Sequence, residues 1–236
     1  MSKNRTEEDA RRNRLLAKLP LDEYQALLAD LVPVELEFDQ VLYGYRGPVE
    51  HAYFPTGVVI SALTVMEDGN AIEVATVGNE GLVGNVAITG GSSPHKMIAQ
   101  IAGPALRIGS PALLAAIDRS KPVRDLLLAY GAAFMAHVSQ LVACNGLHRL
   151  EQRCCRWLLM SRDRVGSDQL RLTHDYLAIM LGARRASVTE ALRPLKKAGL
   201  VRSERGRIVI LDGAGLEQRS CECYEAVKTE YDRLLG

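Results

Sequence analysis

The chain has 236 residues, enough for one large or two ordinary domains, and with 47% hydrophobic but only 5% aromatic residues its cores must be mainly aliphatic. The formal net charge of +1 hides a segregation: residues 151–210 hold 13 Lys and Arg against 6 Asp and Glu, residues 1–150 hold 13 against 16, and the remaining tail 3 against 6. A basic segment in a nearly neutral chain is the footprint of a nucleic-acid-binding module. The N-terminus "MSKNRTEEDARRNR" is mixed-charge rather than apolar, and no apolar run is expected to reach the roughly 20 residues of a bilayer span, so a soluble cytoplasmic protein is expected.

Residues 14–32, with Pro20 as a break, predict two short helices. From Pro33 to about Ser110, "VELEF", "QVLYGY", "HAYFP", "GVVISALTVM", "AIEVATVG", "GLVGNVAIT", "KMIAQIAG" and "ALRIG" are separated by turns such as "EDGN", and about eight short strands at this spacing predict a jelly-roll barrel. Ser110 with Pro111 starts another helix, and Lys121 before Pro122 ends it and starts a longer one, about 24 residues and about 36 Å, reaching Asn145 and Gly146. Leu127, Tyr130, Phe134, His137, Val138 and Leu141 give it an apolar face, which a second copy of the helix would cover in a homodimer, the alternative being that it packs on the chain's own barrel. A further helix, 147 to about 165, carries Trp157 and several arginines. The expected divisions are a barrel over 1–120, a dimerisation helix over 121–146 and a DNA-binding domain over 147–236.

That last assignment rests on "LTHDYLAIMLGARRASVTEALRPLKKAGLV". Thr173 is a good N-cap, Gly182 supplies a sharp turn, and a second helix follows with Val188, Ala191, Leu192 and Leu195 inward. Arg184, Arg185, Ser187, Thr189 and Glu190, with Arg193 a turn on, are left on its free face. Guanidiniums there suit guanine edges or phosphates, short hydroxyls suit phosphate oxygens, and a carboxylate can accept from cytosine N4. "GLVRSERGRIVILD" then predicts a β-hairpin wing whose tip is flanked by Arg205 and Arg207. Pro194 lies inside the second helix, where a kink is expected beyond the base-reading end.

With a strand-rich N-terminal part, a long helix and then "LGARRASVTEALRPLKKAGLV" and "GRIVILD", the chain resembles the Crp/Fnr family of bacterial transcription regulators over nearly its whole length. The resemblance implies an α+β architecture: a double-stranded β-helix of the cyclic-nucleotide-binding type, a dimerisation helix and a winged helix-turn-helix. It also implies a homodimer on double-stranded DNA with a two-fold symmetric site, with RNA polymerase as a further partner. Matched on Gly182, Arg185 falls on the family's base-contacting arginine and Ser187 on its phosphate-contacting hydroxyl, while Glu190 stands where well-known members carry a second base-reading arginine. The effector stretch departs from the pattern: Asn85 takes the place of the ribose-binding carboxylate, and His95 or Lys96 lies nearest the arginine that grips the cyclic phosphate. Lys96 could neutralise a phosphate but not bind it bidentately, so cAMP is not the expected effector.

No enzyme is expected, since HExxH, GxSxG and GxxxxGK[ST] are all missing and the glycines of "GNEGLVGN" read as turns. His51, His95, His137 and His148 could offer axial ligands to a haem, but lone histidines read better as structural. Cys144, Cys154, Cys155, Cys221 and Cys223 are odd in number and lack a CxxC pair, which predicts buried reduced thiols. Cys221 and Cys223 could approach a metal or act in redox chemistry, but two ligands without a nearby third are too few, so neither metal nor cofactor is expected. The competing reading is a dimeric barrel scaffold whose winged helix binds another protein.

Overall fold

The computed structural model describes residues 11–89 and 91–235, so the mixed-charge stretch over 1–10 lies outside the described residues. Asn13 is buried: its side chain accepts from Leu16 N at 3.0 Å, capping α1 (Arg14–Ala17), and donates to Pro55 O and Gly81 O, each at 2.9 Å. After Pro20 comes α2 (Leu21–Leu28), giving the two short helices expected.

The barrel has seven strands rather than about eight: β1 (Val32–Leu36), β2 (Val41–Tyr43), β3 (His51–Pro55), β4 (Val59–Val65), β5 (Ala71–Val77), β6 (Lys96–Ile101) and β7 (Gly103–Gly109). They pair antiparallel in two sheets, ordered β1-β7-β3 and β2-β6-β4-β5. The "EDGN" turn closes the β4–β5 hairpin, with Asp68 accepting from the backbone and side chain of Asn70. "GLVGNVAIT" makes only an isolated bridge, Val83 with Tyr53, before a 3₁₀ helix over Asn85–Thr89. Gly84 breaks the strand there: its φ of +101° is closed to L side chains, and a Cβ would lie 2.8 Å from the Tyr43 hydroxyl.

Behind the barrel come α3 (Ser110–Arg119) and α4 (Lys121–Leu147), the latter capped by Ser120, which accepts from Val123 N at 3.2 Å. Residues 126–147 carry no charge, and α4, with a mean hydropathy of 1.6 over its most apolar window, is long and apolar enough by length and composition to cross a bilayer, contrary to expectation. Only 28% of that window is buried against the rest of the chain, along one side of the helix. Val123, Leu127, Tyr130, Ala133, His137, Leu141 and Cys144 are buried, and the Tyr130 hydroxyl donates to Leu82 O at 3.0 Å.

This burial corrects the expected dimer face. Leu127, Tyr130, His137 and Leu141 are covered by the chain itself, and the partly buried Phe134 and Val138 pack against the barrel's interior cluster. The physical reason is α9 (Cys223–Leu235), which lies along α4 and sets Tyr231 beside His137, with the hydroxyl 3.3 Å from Nδ1. The unpartnered stripe is a different one, led by Leu128, Met135 and Val142 at 66%, 64% and 67% exposure.

From Leu150 the chain re-enters the structure as α5 (Leu150–Val165), starting three residues later than expected. This helix ties the C-terminal half to the outer face of the barrel. Arg164 Nη2 is 2.8 Å and Nε 2.9 Å from Glu80 Oε1, with both side chains buried, and Nη1 donates to Thr76. Nearby, Trp157 Nε1 donates to Glu73 Oε1 at 3.1 Å and Ser61 donates to Glu73 Oε2 at 2.6 Å. Burial pushes the Glu73 carboxyl up to about 7, against the opposing pull of Ser61, Arg156, Arg164 and Trp157.

Two stability effects follow. Arg164→Met strands Glu80 as an unpaired buried carboxylate and should cost about 3–5 kcal/mol in urea unfolding, with Arg164→Lys losing less. Because Glu73 ionises later in the folded chain than in the unfolded one, its contribution is full below the ordinary carboxyl range and is lost as pH rises towards about 7. Glu73→Gln should remove that decline, on the order of 3 kcal/mol, seen as flatter urea midpoints between about pH 4.5 and 8.

Candidate nucleic-acid interface

Beyond α5 the basic segment folds into two helices and a small sheet. Thr173 caps α6 (His174–Met180), accepting from Tyr176 N at 3.2 Å, and Leu177, Ala178, Met180 and Leu181 turn inward. Tyr176 is only half-buried, its ring 4.9 Å from that of Phe38. At Gly182 φ is +56°, which lets the chain leave α6 sharply, and a Cβ there would lie 2.6 Å from Ile72 Cδ1 on the β4–β5 hairpin. The barrel's hairpin thus abuts the turn between the two helices. A cavity opens beside the contact, lined among others by Met66, Asn70, Ile179 and Arg185.

The second helix is α7 (Arg185–Lys197). It buries Val188, Leu192 and Leu195, with Ala191 partly buried, and turns Arg185, Thr189, Glu190 and Arg193 to solvent on the opposite face. Arg184 occupies the N-cap position without a side-chain cap, so it stands at the entrance of the helix rather than on it. Ser187 is half-buried, flanking that face. At Pro194, which has no amide hydrogen to give the preceding turn, the helix continues to Lys197 as one element.

Strands β8 (Gln169–Leu170), β9 (Val201–Glu204) and β10 (Arg207–Ile210) form the wing, ordered β8-β10-β9, and its hairpin turns at Arg205 and Gly206. Glu204 serves two arginines, lying 2.9 Å from Arg202 Nε and 3.6 Å from Arg207 Nε. Arg205 makes no ion pair among the described residues. The short helix α8 (Gly213–Gln218), capped by Asp212, leads from the wing back towards α9.

The sequence reading missed two members of this surface. His174 joins all three elements, with Nδ1 3.0 Å from Thr189 Oγ1 on α7 and Nε2 3.3 Å from Ser203 Oγ on the wing. Burial, then Lys196 and Arg185, hold it below the usual histidine range. Asp175 lies 3.4 Å from Arg185 Nε. Both sit in the first turn of α6, and the turn at Gly182 brings them to the recognition helix.

The effector candidates lie on different elements. Asn85 opens the 3₁₀ helix, whereas His95 lies 3.3 Å through Nδ1 from Thr64 Oγ1 and Lys96 starts β6 opposite Leu63. Among the described residues Asn85 makes no hydrogen bond or ion pair with either. Tyr43, Val58, Ile60, Ala62, Ala75, Val77, Met97 and Ala99 cluster in the barrel's core.

The cysteines divide. Cys154 and Cys155 are buried, their thiols pushed up to about 12 chiefly by desolvation, as inert core thiols should be. Cys221 and Cys223, for which the sequence offered no third ligand, meet Cys144 and His148 from the end of α4. The expectation that no metal set exists is corrected, because the fold closes a separation of 77 residues between Cys144 and Cys221.

With this geometry, residues 152–219 match the family described as the Crp-like helix-turn-helix domain. Transcriptional regulator SdrP of Thermus thermophilus is 28% identical over 189 residues, 76% of this chain and 89% of that protein. The structure of FixK2 from Bradyrhizobium japonicum is similar with a TM-score of 0.69 at 19% identity, covering 81% of this chain and 98% of that one. A CRP-family transcriptional regulator, also from Thermus thermophilus, gives 0.67 at 19% identity, covering 79% and 96%.

Proposed function

We propose that this chain, a Crp/Fnr-type transcription regulator with a helix-turn-helix DNA-binding domain, acts as a homodimer that sets α7 of each copy into the major groove of a two-fold symmetric site. The observation that carries the reading is the exposed face of α7, where Arg185, Thr189 and Arg193 follow one another at i, i+4 and i+8 beside Glu190. Arg185 and Glu190 are the base readers. Arg184, Thr173, Ser187 and the wing's Arg205 and Arg207 serve phosphates, which fix register without carrying sequence. The Asp175–Arg185 pair is exposed on both sides and so is worth little, which leaves the guanidinium free to exchange its carboxylate for a guanine edge.

Dimerisation uses the solvent stripe of α4 instead of its buried face. Leu128, Ala132, Met135, Ser139 and Val142 recur at alternating steps of four and three, the spacing of a two-helix coiled coil. Small residues at alternate positions let two such helices approach closely. The barrel does not take a cyclic mononucleotide, because Asn85, His95 and Lys96 give no paired positive charge to offset a buried phosphate. The protein works in the cytoplasm with RNA polymerase as its further partner, and none of its residues is assigned a catalytic role.

Arg185→Ala should weaken the preferred site by about 1–3 kcal/mol and flatten its base preference in a selection from random duplexes, while Arg205→Ala weakens all duplexes alike. Retention on duplex DNA that does not fall with salt would instead favour a protein partner for the winged helix. Met135→Glu with Val142→Glu should sediment as a monomer and lose tight binding to paired half-sites about 34 Å apart. A dimer surviving both changes would move the interface elsewhere.

A further inference from the structure

The end of α4 and the segment between α8 and α9 hold four side chains that DNA recognition does not use. Cys144 and His148 are one helical turn apart, with His148 at the C-cap of α4, and Cys221 and Cys223 flank Glu222 where α9 begins. Their three sulfurs and one imidazole nitrogen all lie within 4.8 Å of one another. Cys144 Sγ is 3.5 Å from Cys221 Sγ, and Cys223 Sγ is 3.4 Å from His148 Nδ1. Tetrahedral zinc, with bonds of about 2.3 Å to sulfur and about 2.0 Å to nitrogen, holds its ligand atoms about 3.5–3.8 Å apart. The three cysteines are buried and form a cluster apart from both apolar cores.

We propose that Cys144, His148, Cys221 and Cys223 bind one zinc ion per chain, clamping the end of α4 to the start of α9.

The surroundings are built for that ion. His148 Nε2 lies 3.2 Å from Glu222 Oε1, which leaves Nδ1 facing the sulfurs, the arrangement in which a carboxylate orients a metal-bound imidazole. Gln140 donates an amide hydrogen to Cys223 Sγ at 3.0 Å, as suits a thiolate. Arg156, buried at 3% exposure with no hydrogen-bond partner for Nε, lies within electrostatic reach of Cys144. Three thiolates and a neutral imidazole on Zn²⁺ carry a net charge of about −1, which a nearby buried guanidinium offsets. Sulfur-rich ligands exclude magnesium and calcium, and four protein ligands leave no open position, so the site is structural. His148 also begins the link from α4 to α5, and the ion therefore sets the angle at which the DNA-binding domain leaves the long helix.

The full chain, purified under reducing conditions from zinc-supplemented cells, should carry about one zinc per chain by elemental mass spectrometry. Cobalt(II) added to the metal-free chain should give thiolate-to-metal charge-transfer bands and tetrahedral ligand-field bands. Cys221→Ser with Cys223→Ser should abolish both signals, and Glu222→Gln should bind zinc about 10–100-fold more weakly. Should the double variant fail to fold, the wild-type chain serves instead: chelation should lower its Tm and zinc should restore it. Wild-type protein that folds without zinc and gives no thiolate bands with cobalt would overturn the proposal. A native Cys144–Cys221 disulfide under the same reducing conditions would overturn it equally.

Discussion

A guanidinium removed from water is costly unless it is paired, and Arg164 finds Glu80 where α5 meets the barrel. The contact is reinforced nearby by Trp157, whose indole donates to Glu73. The pair fixes α5 against the outer face of the four-stranded sheet, and α5 in turn supplies Cys154, Trp157, Leu158 and Leu159 to the same apolar cluster as Val188, Leu192 and Leu195 of α7. The recognition helix therefore shares one continuous core with α1, α2 and the sheet of β3 and β7.

How far the sequence could be read depended on whether the deciding interaction was local. The Thr173 cap, the turn at Gly182 and the wing obey short-range rules, and each stands where those rules put it. The face of α4 does not. That helix is apolar nearly all round, so periodicity offers two stripes, one through Leu127 and Tyr130 and the other through Leu128 and Met135. The barrel, through Leu82, and α9, about a hundred residues further on, together determine which stripe the chain covers itself. The sixth expected strand failed because Gly84 needs a positive φ, which no hydrophobicity pattern records. Cys221 and Cys223 gave half of a ligand set, and no spacing rule connects them with Cys144 and His148. The uncharged run over 126–147 was underestimated because Ser139, Gln140 and Asn145 interrupt it without adding charge.

The basic surface is also less free than its charge count suggests. Arg185 is engaged by Asp175, and Arg202 and Arg207 share Glu204. Such exposed pairs hold long side chains in place at little energetic gain, so a phosphate can displace the carboxylate without a large penalty. His174 adds a neutral tether between α7 and the wing, keeping the two DNA-facing elements in one relative orientation before any duplex arrives.

Trp157 is the only tryptophan in the chain, and its indole hydrogen points at Glu73 across the domain boundary. The protein thus carries a single built-in fluorophore at the seam where barrel and DNA-binding domain meet. Its emission reports the polarity of that seam: blue-shifted while the seam is closed and dry, altered when Glu73 ionises, and red-shifted when the two halves part and water enters. Any parting of the two halves would therefore register in solution without an attached label.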